Sequence, residues 1–211
     1  YKLLDVCRMR HTPIMTFLNK LDREGMDPID LLDEIESKLK IKVCPISWPI
    51  GMGKQFKGVY SLAENRLILF KPHSKQSVDS IEIKDLSDPI CEEQLGELAQ
   101  QLRDDVELIR GVYPSFSVED YLSGDITPVF FGSALNNFGV REILDFFVDH
   151  APCPQKRETD QDVIMPDQPK FSGFIFKIHA NIDPKHRDRI AFLRVCSGVF
   201  ERGKRFFNTR T

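Results

Sequence analysis

Two stretches of the chain share one hydrophobic pattern. Apolar runs at residues 14–18 and 129–131 are each followed by a short polar loop and then by a segment whose apolar residues recur every three or four positions. An unbroken apolar run is typical of a strand buried on both faces, and the spacing after it is typical of a covering helix. We therefore predict an α/β fold in which both units belong to one doubly wound sheet.

The helices of the two units carry further signals. In the first unit, Asp27 suits an N-cap and Pro28 suits the first helical position, so the helix is predicted to begin there. In the second unit, the apolar positions of the helix are predicted to face inward: Val140, Leu144, Phe147 and Val148.

The residues between the two units predict an inserted α+β subdomain. Residues 56–62, 66–71 and 80–86 are predicted as strands, and the apolar spacing that follows predicts one long helix over roughly residues 90–110. Ser117 resembles the start of a capping box, which predicts a short helix that Gly124 ends.

The pattern changes again after residue 151. Residues 152–170 are rich in Pro, Gln, Asp and Lys without periodicity, which predicts a linker. From Phe171 onward, and again from Lys204, apolar and polar residues alternate, which predicts the opening strands of an antiparallel β-barrel. The predicted domains are residues 1–44, the back part of the α/β domain; 45–124, the inserted subdomain; 125–151, the last strand and helix of the α/β domain; 152–170, the linker; and 171–211, the start of an incomplete barrel domain.

Composition and charge narrow the function classes. The 211 residues carry a net charge of -3 at a pI near 6.0, so any contact with RNA needs a local basic patch. No apolar run approaches the roughly 20 residues that span a bilayer, so no membrane partner is predicted. The five cysteines are scattered without a C-x-x-C pair, which excludes zinc-ribbon and thioredoxin-like sites and favours a reducing, cytoplasmic location.

The polar loop after the first apolar run has the chemistry of a guanine site. A carboxylate such as Asp22 can accept from the adjacent N1–H and N2–H2 donors of guanine, and adenine offers no such pair. Lys20 can lay its aliphatic stem against the base or ribose, and Asn19 can tie the loop to the base edge or to a neighbouring loop. The loop after the second run, Ser133-Ala134-Leu135, has the small side chains and backbone N–H groups that could close over O6. The alternative is that both loops are caps or turns that bind nothing.

These two motifs, N-K-x-D and then S-A-L after the next core strand, resemble the base-recognition elements of GTP-binding P-loop proteins. The stretches "CPISWPIGMGKQFKGVYSL", "GDITPVFFGSALNNFGVREILDFFVDHAPCP" and "FSGFIFKIHANIDPKHRDRIAFLRVCSG" extend the likeness. Over essentially the whole chain, the sequence resembles the bacterial peptide chain release factor 3 family, which are translational GTPases of the elongation factor G type. Members of that group carry an insertion between the two motifs and a β-barrel after the last helix.

The resemblance implies a GTP-binding segment of a translation termination factor that acts on the ribosome and promotes the release of class I release factors. It implies that the residues matching Asn19, Lys20 and Asp22 hold the guanine of GTP or GDP, and that the turn matching Ser133, Ala134 and Leu135 contacts O6. The parent protein is expected to be a GTPase that uses Mg²⁺.

The 211 residues contain no phosphate-binding loop G-x-x-x-x-G-K-[ST]. "GMGK" at residues 51–54 only resembles one, because Trp48 stands where the first glycine would be and Gln55 follows the lysine. The family places its phosphate loop and magnesium ligands upstream of N-K-x-D. We therefore expect an internal segment of a longer protein, with no catalytic residue or Mg²⁺ ligand in this chain and no GTP hydrolysis by the chain alone.

Three alternatives remain open from the sequence. The chain could come from elongation factor G or a ribosomal-protection relative, or it could be a scaffold without nucleotide chemistry. The charged loop containing Lys185, His186 and Arg187 could contact ribosomal phosphates, or it could be an ordinary solvated turn.

Overall fold

The fold is described from a computed structural model, which describes residues 2–70, 79–180 and 188–209. The chain divides into two compact units, Tyr1–Ala151 and Pro152–Thr211. The helices described in the first unit are α1 (Lys2–Met9), α2 (Pro28–Leu39), α3 (Pro89–Leu95), α4 (Leu98–Val112), α5 (Val118–Ser123) and α6 (Val140–His150). Its described strands are β1 (Thr16–Leu18), β2 (Lys42–Pro45), β3 (Ser47–Ile50), β4 (Gly58–Ser61), β5 (Arg66–Leu69), β6 (Asp79–Glu82) and β7 (Ile126–Phe131). The finer domain boundaries given above stay a prediction.

A three-stranded parallel sheet forms the centre of the first unit. Its strand order is β1-β7-β2, with Leu18 opposite Phe131 and Val43 opposite Thr127. Every residue of β7 is buried, as the unbroken apolar run predicts for a central parallel strand. The α/β fold class is therefore confirmed. Strand β2, which extends the sheet on its other side, was not predicted from the hydrophobic pattern.

Helix α2 begins where the sequence predicts. The Asp27 side chain accepts from the Ile29 N–H at 2.8 Å, and Pro28 occupies the first turn, where its missing N–H costs nothing. The helix ends at Leu39 and is capped by Lys40, whose φ of 52° is left-handed. The Arg8 guanidinium donates to the carbonyls of Leu39 and Lys40, which fixes α1 against the end of α2.

The inserted segment, residues 45–124, has a four-stranded antiparallel sheet in the order β3-β4-β5-β6. The hydrophobic core of this sheet is continuous with that of the parallel sheet. Trp48 of β3 packs edge-on against Phe131 of β7, with ring centroids 5.2 Å apart. The Trp48 indole also donates to Asp105 Oδ2 of α4 at 3.1 Å. The inserted segment and the end of β7 are therefore packed as one body.

The long helix predicted over roughly residues 90–110 is wrong in one respect. It is two helices, α3 and α4, separated at Gly96, whose φ of 61° is outside the helical range. Buried Leu95 and Ala99 lie on either side of the break, so the apolar spacing continues across it and hides it. The short helix α5 begins after Ser117 as predicted, since the Ser117 hydroxyl accepts from the Asp120 N–H at 3.2 Å.

The predicted orientation of the last helix is also wrong in part. Leu144, Phe147 and Val148 of α6 are all more than half exposed. A ring contact with the sheet comes from Phe146 instead, whose ring lies 5.2 Å from that of Phe130. Phe146 also packs against Phe116.

The described part of the second unit contains two antiparallel pairs of strands. Strands β8 (Arg157–Glu158) and β9 (Val163–Ile164) form a short hairpin inside the predicted linker. Strands β10 (Ser172–Ala180) and β11 (Arg189–Ser197) pair along their length with two register shifts. The strand predicted from Lys204 onward does not form in the described residues 204–209, where Phe206 packs against Phe171 instead.

No helix in the described ranges is both long enough and apolar enough to cross a membrane.

Candidate functional site

The two loops predicted to bind guanine lie side by side. Strands β1 and β7 are parallel neighbours, so the loops that follow Leu18 and Phe131 leave the same edge of the sheet. The Gly132 N–H donates to the Leu18 carbonyl at 3.0 Å, and the Leu21 N–H donates back to the Gly132 carbonyl at 3.1 Å. The ladder of the sheet therefore continues into both loops and fixes their relative position. This edge is where ligands bind in open parallel sheets.

Asn19 joins the two loops through its side chain. Its Oδ1 accepts from the Lys20 N–H and from the Ala134 N–H, each at 2.8 Å. One oxygen with two lone pairs thus holds a backbone donor from each loop. Of the two roles that the sequence left open for Asn19, the structure shows the tie to the neighbouring loop.

Lys20 and Asp22 occupy a tight turn. Lys20 has a φ of 75°, a left-handed conformation that is uncommon for a residue with a side chain, and the Arg23 N–H closes the turn onto the Lys20 carbonyl at 3.0 Å. The Lys20 side chain is exposed and Asp22 is half-buried. Within the described residues, the Asp22 carboxylate has no hydrogen-bond or ion-pair partner, so both of its oxygens can accept from a ligand.

Ser133 is buried and holds the second loop through its hydrogen bonds. It is only 1% exposed, its hydroxyl accepts from the Asn136 side-chain amide at 2.8 Å, and its backbone N–H and carbonyl both pair with Phe138 at 3.0 Å. Leu135, by contrast, is 83% exposed. Because the Ala134 N–H is held by Asn19, the Leu135 N–H is the donor of this turn that has no acceptor in the described part of the chain.

Gly132 allows the close approach on which this loop depends. A Cβ at Gly132 would lie 2.3 Å from the Phe138 carbonyl oxygen and 2.8 Å from the Phe17 ring, both far inside van der Waals contact. Gly139 closes the loop with a φ of 75°, and a Cβ there would lie 2.5 Å from the Phe131 carbonyl oxygen. Both glycines are therefore needed for the loop to fold back onto the end of β7.

A cavity lies away from these loops. It has a volume of about 720 Å³ and is lined by Arg8, His11, Lys42 and Asp125 among others. Lys42 and Asp125 stand at the amino ends of β2 and β7, whereas both loops follow carboxyl ends. The length of six-residue β7, roughly 20 Å, separates the cavity from the candidate guanine site. The cavity therefore contributes nothing to that site.

The residues predicted to contact the ribosome, Lys185, His186 and Arg187, lie outside the described residues. Over the described ranges, no group of three or more His, Cys, Asp or Glu side chains could hold a metal ion.

Comparison with known protein families agrees with the fold. Residues 1–153 match the family model described as Elongation factor Tu GTP binding domain. Residues 170–211 match the model described as Elongation factor G domain 2. The fold is thus that of a GTP-binding domain followed by β-structure of the domain 2 type. The chain belongs to the translational GTPase family, whose members bind GTP and GDP with Mg²⁺ and act on the ribosome in protein synthesis.

The sequence analysis missed residues that hold the two loops in place but offer no group to a ligand. Phe138 and Asn136 fix the second loop, and the Gly53 N–H donates to the Leu21 carbonyl at 2.9 Å in the first. Two signals in the sequence mark Gly53 and Phe138 as unusual positions, although neither signal indicates which residues they contact. "GMGK" contains glycines in a segment that is not a phosphate loop, and Phe138 is an apolar residue directly after two asparagines.

Proposed function

We propose that this chain is the guanine-binding segment of a translation termination factor that promotes GTP-dependent release of class I release factors from the ribosome. The observation that carries the nucleotide part is the shared edge, where Asn19 joins the two loops and Asp22 stands without a partner in the described residues. The termination part rests on the sequence resemblance over the whole chain, above all in "NIDPKHRDRIAFLRVCSG". Such a role would place the protein in the cytoplasm.

Each residue of the site has a proposed task. Asp22 accepts from N1–H and N2–H2 of guanine with its two carboxylate oxygens, which adenine cannot satisfy. The Lys20 stem lies along the base or ribose while its ammonium stays in water. The turn Ser133-Ala134-Leu135 closes over O6, with the Leu135 N–H as the free donor and Ser133 and Ala134 as the residues that shape it.

Exchanging the carboxylate for an amide tests this assignment. In the complete protein, Asp22→Asn replaces an acceptor by a donor, and a mismatched polar group costs about 1–3 kcal/mol, which is roughly a 5- to 150-fold loss of GDP affinity. Xanthosine diphosphate has a carbonyl in place of the 2-amino group, so its affinity should rise in the same variant. Both affinities can be measured by competition against a fluorescent guanine nucleotide.

The matched control is Asp149→Asn, which removes an exposed carboxylate of α6. We expect its nucleotide preference to equal that of the unmodified protein. Unchanged discrimination between GTP and ATP in Asp22→Asn would contradict the assignment. If the intact protein bound no guanine nucleotide, the scaffold alternative would be correct.

We also propose that these 211 residues alone do not hydrolyse GTP, because they contain no G-x-x-x-x-G-K-[ST] sequence. Phosphate release by the purified chain should equal that of buffer. Turnover at ordinary GTPase rates would contradict this.

A second candidate function is that of elongation factor G or a ribosomal-protection relative. It is favoured by the match of residues 170–211 to domain 2 of elongation factor G. The two candidates separate on ribosomes that carry a bound class I release factor after peptide release. Our proposal expects the complete protein with GTP to accelerate dissociation of that factor. Either alternative expects no such acceleration, and elongation factor G would accelerate translocation instead.

The loop containing Lys185, His186 and Arg187 is proposed to contact the ribosome, because three neighbouring basic side chains can attract RNA phosphates. Reversing these charges should slow factor release and reduce its dependence on salt. Unchanged rates would favour the solvated-turn alternative.

A further inference from the structure

The segment "GMGK" has no place in the nucleotide chemistry described above, yet it lies against the candidate site. We infer that the inserted segment positions both guanine-recognition loops and so sets the guanine selectivity of the site. It contacts the first loop through its own Gly53, and it contacts the second loop through Phe138, which stands at the base of that loop. The inference rests on the proposed function as far as selectivity is concerned. Gly53 and Phe138 are positioning residues in this proposal and do not touch the nucleotide.

The first loop is held through the backbone of Leu21, the residue between Lys20 and Asp22. The Gly53 N–H donates to the Leu21 carbonyl at 2.9 Å, while the Leu21 N–H donates to Gly132. Leu21 is also buried. Both peptide groups that flank Leu21 are therefore held by hydrogen bonds, one to the inserted segment and one to the second loop.

The glycines of "GMGK" are explained by the backbone conformation of this turn and not by a phosphate. Gly53 has a φ of 60° and lies against the first loop, where a Cβ on it would lie 2.1 Å from the flexible end of the Glu24 side chain. Gly51 has a φ of 71°, and a Cβ there would lie 2.4 Å from the Gln55 carbonyl oxygen of the same turn. The left-handed φ at both positions favours glycine, so a side chain at Gly53 would strain the turn that holds Leu21.

The second loop is held through Phe138. Its backbone closes the loop by pairing twice with Ser133, and its side chain is 1% exposed. The ring meets two rings of the inserted segment edge-on, with centroids 5.6 Å from Phe56 and 5.4 Å from Phe70. These contacts fix the base of the loop that presents the Leu135 N–H.

The same support extends down the preceding strand. The Phe131 N–H at the end of β7 donates to the Ser47 hydroxyl at 3.1 Å, and Trp48 packs on the Phe131 ring. The inserted segment therefore contacts the last strand residue, the base of the second loop and the centre of the first loop. A force or ligand that shifts this segment would move both loops together.

Selectivity depends on that placement more steeply than affinity does. Inosine diphosphate lacks the 2-amino group of guanine, so only a carboxylate aligned with both N1–H and N2–H2 distinguishes GDP from IDP. A displaced first loop would weaken the hydrogen bond from N2–H2, which GDP can donate and IDP cannot. The ratio of GDP to IDP affinity thus reports on loop position, and it does not change when a variant merely lowers the fraction of folded protein.

The test uses Gly53→Ala and Phe138→Leu in the complete protein. We expect the preference for GDP over IDP to fall at least threefold in each variant, measured by competition against a fluorescent guanine nucleotide. In the nucleotide-free protein, hydrogen exchange of the amides at 19–22 and 133–138 should become at least threefold faster. If Phe138→Leu does not fold, Phe56→Leu removes the same ring contact from the other side.

Two matched controls separate positioning from general stability. Gly96→Ala places a side chain on a glycine with nearly the same φ, 61°, in open space. Phe116→Leu removes a ring contact of similar distance, 4.8 Å to Phe146, that neither loop shares. Both controls should lower the melting temperature while leaving the GDP-to-IDP ratio and the loop exchange rates unchanged.

The possible results of this test distinguish the inference from the proposed function. Ratios and exchange rates that shift no more in Gly53→Ala and Phe138→Leu than in the controls would overturn the inference. An unmodified protein with no guanine preference would refute the proposed function and the selectivity claim with it. In that case the exchange rates would still decide whether the inserted segment positions the loops.

Discussion

The two loops of the candidate site are held by different kinds of interaction. The first, with Asn19, Lys20 and Asp22, is largely a surface turn that hydrogen bonds attach to its neighbours. The second begins and ends in the core, where Ser133 and Phe138 are both buried, and only its tip with Leu135 is exposed.

The difference matches what each loop is proposed to present. A loop that offers side chains to a base can keep them in solvent, because their own rotamers and charges carry the recognition. A loop that offers a backbone N–H must fix the peptide itself, since the donor has no freedom of its own. Packing is expected to matter more for the second loop, and polar contacts more for the first.

Gly132→Ala should have the largest effect and acts on the second loop. The added Cβ would meet the Phe138 carbonyl oxygen, which is backbone and cannot rotate away, and the Phe17 ring, so we expect a loss of about 3 kcal/mol in unfolding free energy. Denaturant unfolding measures this. Gly111→Ala is the control, because a Cβ there meets nothing within 4 Å and the residue lies in α4. It should be neutral or slightly stabilising, and an equal loss in both variants would contradict the comparison.

Asn19→Ala should have an intermediate effect and acts on the link between the loops. It leaves the N–H groups of Lys20 and Ala134 without their acceptor, which should cost about 1 kcal/mol because both groups can reach water. Asn19→Asp retains an oxygen at the same place and should unfold closer to the unmodified protein. Thermal melts of the two variants at one pH provide the test. Equal melting temperatures for the two would show that the link contributes nothing.

Asp105→Asn should have the smallest effect and acts on the support beneath the second loop. Burial raises the pKa of Asp105 above 3.8, and the hydrogen bond from Trp48 opposes this. The folded state therefore keeps the proton to a higher pH than the unfolded state, so this contribution to stability is present below the unfolded pKa and is lost as pH rises through the folded pKa.

The asparagine variant keeps an acceptor for Trp48 and has no proton to lose. From about pH 4 upward, its melting temperature should fall less than that of the unmodified protein. The difference should stay below about 1 kcal/mol, because solvent screens a half-buried carboxylate. Parallel melting curves of the two proteins against pH would contradict this prediction.

The sequence correctly predicted those helix starts that depend on residues close together in the chain. The start of α2 depends on Asp27 and Pro28 alone, and the start of α5 on Ser117, so a short window of sequence suffices. The proximity of the two loops followed from a rule of parallel sheets, that successive carboxyl ends share an edge.

The predictions that were wrong or missing concern features that periodicity along the chain does not determine. Periodicity shows that α6 has an apolar face, yet Phe146, beside the predicted stripe, makes the ring contacts with Phe130 and Phe116. The break at Gly96 was hidden because apolar spacing continued on both sides of it. The contacts of Gly53 and Phe138 join residues far apart in the chain, and no local pattern encodes them.

Trp48 is the chain's single tryptophan, and its position gives it an optical use. Its ring rests on Phe131, one residue before the second loop, and its nitrogen donates to α4 of the inserted segment. Indole emission shifts in colour and intensity with the polarity around it. The protein therefore contains an unlabelled fluorescent sensor at the junction where the inserted segment meets the sheet, and rapid-mixing records of its emission would follow that junction in real time.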